Sequence, residues 1–346
     1  FKQKTAYEIY QCDWSSDVCS SDLGRNLAEH TAPLNCLDLE RGAFGMPVTR
    51  HFSQTYSEAR QKFLQACAQA QVPVQSHRHP LPGHDGEELA MDVARMGAAD
   101  ARSLLILSSA CHGVEGYCGS GIQVGLLHDA QWMKAANEAG VAVLWIHALN
   151  PHGFSWWRRT THENVDLNRN FVDFSQPLAR NTDYDTIAAA VVPNDWPPPA
   201  QAEATLAAYQ AAHGERGLRA AIGNGQHHHP QGLFFAGQAV TWSHVTLRKV
   251  LREHARLCTK LGWIDFHTGL GPRGFGERIF AGRDDAAALK RARQWWGAEV
   301  TSIFDDSSVS TQVRGTLGNA AYEEAFEHGK QIAGMLLAGL RQRKAS

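Results

Sequence analysis

The sequence predicts an α/β protein: a three-layer α/β/α sandwich whose mixed, mostly parallel sheet carries helices on both faces. Three observations predict it. Short apolar runs of strand length at residues 104–107, 141–146 and 263–266 each end in a loop rich in Gly, His, Ser or Asn. Residues 119–129, between the first two runs, read as a crossover helix, so these strands form a βαβ unit and a parallel pair. Helical and strand-like periods then alternate along most of the remaining chain.

Taken in order, residues 56–70 place Tyr56, Ala59, Phe63, Ala66, Cys67 and Ala70 at helical spacing. Leu89, Met91 and Val93 alternate with polar positions, the pattern of a half-exposed strand. The βαβ unit follows. Residues 181–199, rich in Asp, Asn and Pro, read as a long loop able to rim an active site. Further helices are expected at 200–212, 244–260, 284–298 and 320–341, with strands at 263–266 and 276–281. His227-His228-His229 precedes Pro230 in Gly/Pro surroundings and reads as a loop, because adjacent side chains point in different directions. Trp156, Trp157 and Trp242 are candidates for a pocket wall or for the core.

Both termini read differently. Residues 1–23, including Asp13-Trp14-Ser15-Ser16-Asp17-Val18-Cys19-Ser20-Ser21-Asp22-Leu23, resemble the translation of a sequencing adapter, and 24–50 read as a linker. A single catalytic domain is expected over 51–346. Lys plus Arg number 33 against 35 Asp plus Glu, so no strong field favours nucleic acid or an anionic membrane. No apolar stretch approaches the roughly 20 residues that cross a bilayer. The seven cysteines form no CxxC pair, which suits a reducing cytoplasm better than a disulfide framework. Cys111 reads as a small packing residue.

The chemistry concentrates at strand ends. His112-Gly113-Val114-Glu115 follows the 104–107 run, and an imidazole and a carboxylate three residues apart can close on one metal ion. His267, ending the 263–266 run, is the natural third ligand, since open α/β sheets assemble sites at the carboxyl ends of strands. Arg169 offers a fork of donors that matches a carboxylate, beside Asn168. Arg159, or its neighbour Arg158, is the cation suited to an oxyanion beside the metal.

With Asn150-Pro151-His152-Gly153-Phe154 and Val165-Asp166-Leu167-Asn168-Arg169-Asn170-Phe171 between the two histidine clusters, the chain resembles the zinc carboxypeptidase family of metallopeptidases. Within it, Ser108-Ser109-Ala110-Cys111-His112-Gly113-Val114-Glu115-Gly116 and Ile264-Asp265-Phe266-His267-Thr268-Gly269 are similar to a bacterial branch known as domain of unknown function 2817. The resemblance covers about residues 51–319. It implies one zinc ion on His112, Glu115 and His267, substrate binding by Asn168, Arg169 and Arg158, and a small peptide substrate. It also implies a catalytic glutamate on a strand near the carboxyl end, in a context such as L-E-F-G-T. The matching place falls near Ala338, where no carboxylate occurs after Glu327. Glu323, Glu324 and Glu327 are the nearest acids, and Glu324 is the candidate base. Three functions fit: a carboxypeptidase-type hydrolase, a zinc amidase or deacylase acting on N-acyl amino acids, and a metal-binding pseudoenzyme that holds peptide ends. A damaged reading frame would also explain the missing glutamate.

Overall fold

The computed structural model describes residues 48–269, 275–305, 307–310, 312–325 and 331–339. The adapter-like segment 1–23 and nearly all of segment 24–50 lie outside the described residues. Helix α1 (Tyr56–Gln69) is followed by strands β1 (Val74–Arg78), β2 (Ala90–Met96) and β3 (Ser103–Ser108). The crossover comprises two helices, α2 (Gly116–His128) and α3 (Ala130–Glu138), before β4 (Val141–His147). Next come α4 (Pro151–Ser155), α5 (Thr182–Val191), α6 (Ala200–Gly223), α7 (Trp242–Ala255) and β5 (Lys260–His267). The chain continues through β6 (Glu277–Phe280), α8 (Ala286–Trp296), β7 (Thr301–Ser302), α9 (Leu317–Ala325) and β8 (Gln331–Gly339).

One mixed sheet has the order β1-β2-β4-β3-β5-β8-β6-β7. β3 pairs in parallel with β4 and β5, and β5 with β8, so the centre of the sheet is parallel while β1, β2 and β6 run against their inner neighbours. Alternation along β4 shows how the layers are held. Val143 and Trp145 face Phe63 and Cys67 of α1 and Val124 of α2, while Leu144 and Ile146 face Leu247 and Leu251 of α7 and Leu317 and Ala321 of α9. The predicted three-layer arrangement is therefore present, with the predicted parallel β3–β4 pair.

Four local expectations are corrected. β2 is buried on both faces rather than half exposed: its polar position, Asp92, is fully buried and held by Arg60 Nε at 2.7 Å and by the Ser76 hydroxyl at 2.5 Å. Residues 181–199 contain α5, capped by Asn181, whose Oδ1 accepts from Tyr184 N at 3.0 Å, with Tyr184, Ile187 and Val191 buried at helical spacing. The expected crossover helix is present as α2, but a second, unexpected helix follows it, because Asp129 ends α2 and accepts from Trp132 N to start α3. The expected helix 320–341 is present over its described first part as α9, and β8 replaces its second half; Gly334 and Gly339 interrupt a helix, and the run pairs with β5 along its length. Among the described residues no helix is long and apolar enough to cross a membrane. Among the described residues Cys67, Cys111, Cys118 and Cys258 are buried and form no disulfide. Trp156 and Trp157 are exposed and stack edge-on against His84.

Candidate metal centre

The connection from β3 leads to β4 on one side, whereas β5 lies on the other, so the carboxyl ends of β3 and β5 flank a point where the winding changes direction. Ser108 and Asp265 are register partners there, which carries His112 and His267 to the same rim. His112 leads into a short 3₁₀ turn, Gly113–Glu115. The turn depends on glycine: a Cβ on Gly113 would lie 2.0 Å from the carbonyl carbon of Gly153 in α4. Asn150 caps α4 by accepting from Gly153 N at 2.9 Å. Backbone bonds from Gly113 N to Arg159 O (3.2 Å) and Val114 N to Arg158 O (3.1 Å) then strap the arginine loop across the turn. The N-P-x-G-F and H-G-V-E-G motifs are thus two halves of one tight junction.

His112 and Glu115 are buried, His267 nearly so, and the three present ligand atoms all within 4.8 Å of one another. His267 Nδ1 lies 3.2 Å from His112 Nδ1 and 3.0 Å from Glu115 Oε2, and His112 Nδ1 lies 3.1 Å from Glu115 Oε1. Donors bound tetrahedrally at ~2.0–2.1 Å from zinc sit about 3.3 Å apart, so the spacing of the two Nδ1 atoms, with one Glu115 oxygen facing each, suits one ion. The outer nitrogens are equally telling. His112 Nε2 meets Asp166 Oδ1 at 3.2 Å, and His267 Nε2 meets Asp265 Oδ2 at 2.5 Å. Each carboxylate fixes its ring with Nδ1 facing inward, the outer-shell arrangement of metal-ligating histidines. Asp265 Oδ1 in turn accepts from the Ser108 hydroxyl at 2.5 Å, which accepts from Trp263 Nε1 at 2.7 Å.

Electrostatics follow the same pattern. Burial opposes charge on Glu115, but His112 and His267 outweigh it and hold the carboxyl below the usual carboxylate range. Burial likewise opposes charge on His267, yet Asp265 and Glu115 push its pKa up to about 10. Asp166 stays ionised despite burial because Arg159, His112 and Arg169 surround it. Burial, reinforced by Asp265 and Asp166, raises the Cys111 thiol well above its ordinary value. Cys111 sits in the core cluster as expected, although its sulfur also lies within metal-ligand reach of Asp265 and His267.

The other candidates divide. Arg159 reaches the centre, with Nε 2.9 Å from Asp166 Oδ2 and Nη1 3.5 Å from Glu115 Oε1. Arg158 does not: its guanidinium reaches Asn164 Oδ1 at 3.4 Å, and its contribution is the backbone strap. Asn168 Oδ1 accepts from Leu317 N at 3.0 Å and so tethers the start of α9. Arg169 is held by Gly223 O and Asn168 O, and it shares the Phe234 ring with Arg159 at 5.4 and 5.2 Å from the centroid. Glu324 lies on α9 in an ion-pair network with Arg248 (2.8 Å) and Arg252 (2.9 Å), and these contacts do not bring it to the His112 group. β8 occupies the place where the missing glutamate was expected; Ala338 pairs with Phe266 and Gly339 with His267. Sequence reasoning missed the roles of Asp166, Asp265, Ser108 and Phe234. Asp265 had a usable signal, standing two residues before His267 on one strand and hence on the same face.

His227 and His229 serve locally. His227 Nδ1 meets Gly237 O at 2.6 Å, and His229 Nε2 meets Asp185 Oδ1 at 2.7 Å.

No curated protein matches the chain. Among solved structures it is similar to carboxypeptidase A from Helicoverpa armigera at 12% identity, covering 85% of this chain and 66% of that one, with a TM-score of 0.47. Bovine thrombin-activatable fibrinolysis inhibitor is 11% identical over 84% of this chain and 87% of that one, with a TM-score of 0.47. An aspartoacylase family protein from Mesorhizobium loti is 14% identical over 78% of this chain and 61% of that one, with a TM-score of 0.36. The family model described as protein of unknown function (DUF2817) matches residues 52–337, and the chain belongs to that family.

Proposed function

We propose that the protein is a zinc-dependent hydrolase of carboxypeptidase type, cleaving an amide bond near a substrate carboxylate. The observation that carries this reading is the His112, Glu115 and His267 group, with its 3.0–3.2 Å edges and a carboxylate behind each ring. Zinc held there supplies a Lewis acid for the scissile carbonyl and an activated water. The chain's own residues do the rest. Arg159, beside Glu115, offers positive charge where the carbonyl oxygen becomes anionic, and Asn168 with Arg169 holds the substrate carboxylate. Small peptides and N-acyl amino acids both present such a carboxylate beside an amide, so amidase activity belongs to the same proposal.

A second reading is a metal-dependent binder of peptide ends with little turnover. It is favoured by β8, which reads Q-I-A-G-M-L-L-A-G and so offers no carboxylate beside His267 to take the water's proton. A panel of zinc-loaded assays tests both: free-carboxylate peptides, their C-terminal amides and N-acyl amino acids. Hydrolysis that favours carboxylate-bearing substrates over their more slowly cleaved C-terminal amides, with Arg169→Ala raising the KM of the carboxylate substrates about 10- to 100-fold and leaving that of the amides unchanged, supports the first reading. Equal effects of Arg169→Ala on carboxylate and amide substrates contradict the anchor. Binding of carboxylate peptides without hydrolysis selects the second.

A further inference from the structure

Beyond Arg169 the fold opens a polar cavity of about 180 Å³. Its wall includes Arg169, Arg180 and Arg314, together with Asn181, Thr182 and Asp183 at the start of α5. Three arginines line this space, with Asp183 as the one carboxylate-bearing residue in its wall. Asp183 lies beside Tyr209, whose phenol it makes less acidic after burial has done the same. Arg180 is braced by Asp185 at 2.6 Å, whereas among the described residues no carboxylate pairs with Arg314. The ten-residue helix α5 adds the positive end of its dipole.

The wall is built by close backbone approaches. Gly315, next to Arg314, has φ +70, and a Cβ there would lie 2.2 Å from Arg169 O. Its carbonyl accepts from Phe171 N at 3.0 Å, so the Arg314 backbone is clamped against the Arg169 segment. On the other side Gly225, at φ +82, lies so close to the Arg169 stem that a Cβ would come within 3.1 Å of it. At the ~30 Å³ that a water-sized group occupies in liquid, the cavity has room for about six non-hydrogen atoms. That is a short carboxylate-bearing side chain.

We propose that this cavity receives the acidic side chain of the residue whose terminal carboxylate Asn168 and Arg169 hold, making the protein selective for glutamate or aspartate at the carboxylate end of its substrate. The proposal rests on the anchoring role assigned to Arg169 under the proposed function. Benzoyl-Gly-Glu and its neutral isostere benzoyl-Gly-Gln are titrated calorimetrically into the zinc-loaded protein. The glutamate peptide binds about tenfold more tightly at low salt, the worth of one partly exposed charged contact. Arg314→Gln and, separately, Arg180→Ala each bring that ratio below about threefold. Equal affinity for the two peptides in the unaltered protein, or a ratio unchanged in both variants, overturns the acidic-side-chain site while the carboxylate anchor stands. Binding of neither peptide overturns the anchor and this proposal with it.

Discussion

Replacing Asp265 by Asn probes how the centre is organised without touching a ligand. Asp265 is fully buried and accepts at both oxygens, from His267 Nε2 at 2.5 Å and from the Ser108 hydroxyl at 2.5 Å. Ser108 also accepts from Trp263 Nε1 at 2.7 Å, which fixes its hydrogen toward Asp265. An amide keeps one acceptor and turns the other into a donor, so one of these two bonds is lost or reversed. The surviving bond to the imidazole loses its charge, a difference of ~1 kcal/mol, and the mismatched buried pair adds ~1 kcal/mol or more. Together these weaken zinc binding by about 10- to 100-fold. Competition against a chromophoric chelator at fixed pH measures it, with circular dichroism confirming the fold. Zinc affinity within threefold of the unaltered protein would refute the orienting role.

Two further outcomes concern stability. Asp92→Asn leaves Arg60, bound to Asp92 at 2.7 Å under the sheet edge, without its buried counter-charge, and costs about 3 kcal/mol in urea denaturation; a loss under 1 kcal/mol contradicts the pairing. His147 is fully buried beside Phe63 with its Nδ1 unpartnered, and burial lowers its pKa to about 4. The unfolded chain takes up this proton near pH 6.5 and the folded one only near 4. Stability is therefore complete above pH 6.5 and falls as pH drops through this window, by up to about 3 kcal/mol. His147→Gln flattens that part of the profile, and an unchanged slope would show that His147 carries none of it.

Much of the candidate centre was legible because strand ends announce themselves: an apolar run followed at once by a ligand-type residue marks where β3 and β5 deliver His112 and His267. Asp265 was legible by strand alternation. Asp166 was not, since its partner His112 lies 54 positions away and only folding joins them. β2 misled because a buried ion pair leaves the same polar alternation in sequence as a solvated face, and Arg60 gives no local sign that it reaches Asp92. α5 was hidden by its Asp- and Asn-rich surroundings, although Asn181 as cap and Tyr184, Ile187 and Val191 carried its period. β8 reads as an apolar run of either type, and its glycines and its pairing with β5 decide the matter.

Every role assigned around the centre depends on His112, Glu115 and His267 holding one metal ion. Zinc content measured by plasma mass spectrometry after equilibration and desalting tests it most directly. About one zinc per chain is expected, falling below a tenth in His112→Ala and His267→Ala with the fold retained. Near-stoichiometric zinc persisting in both variants would contradict it.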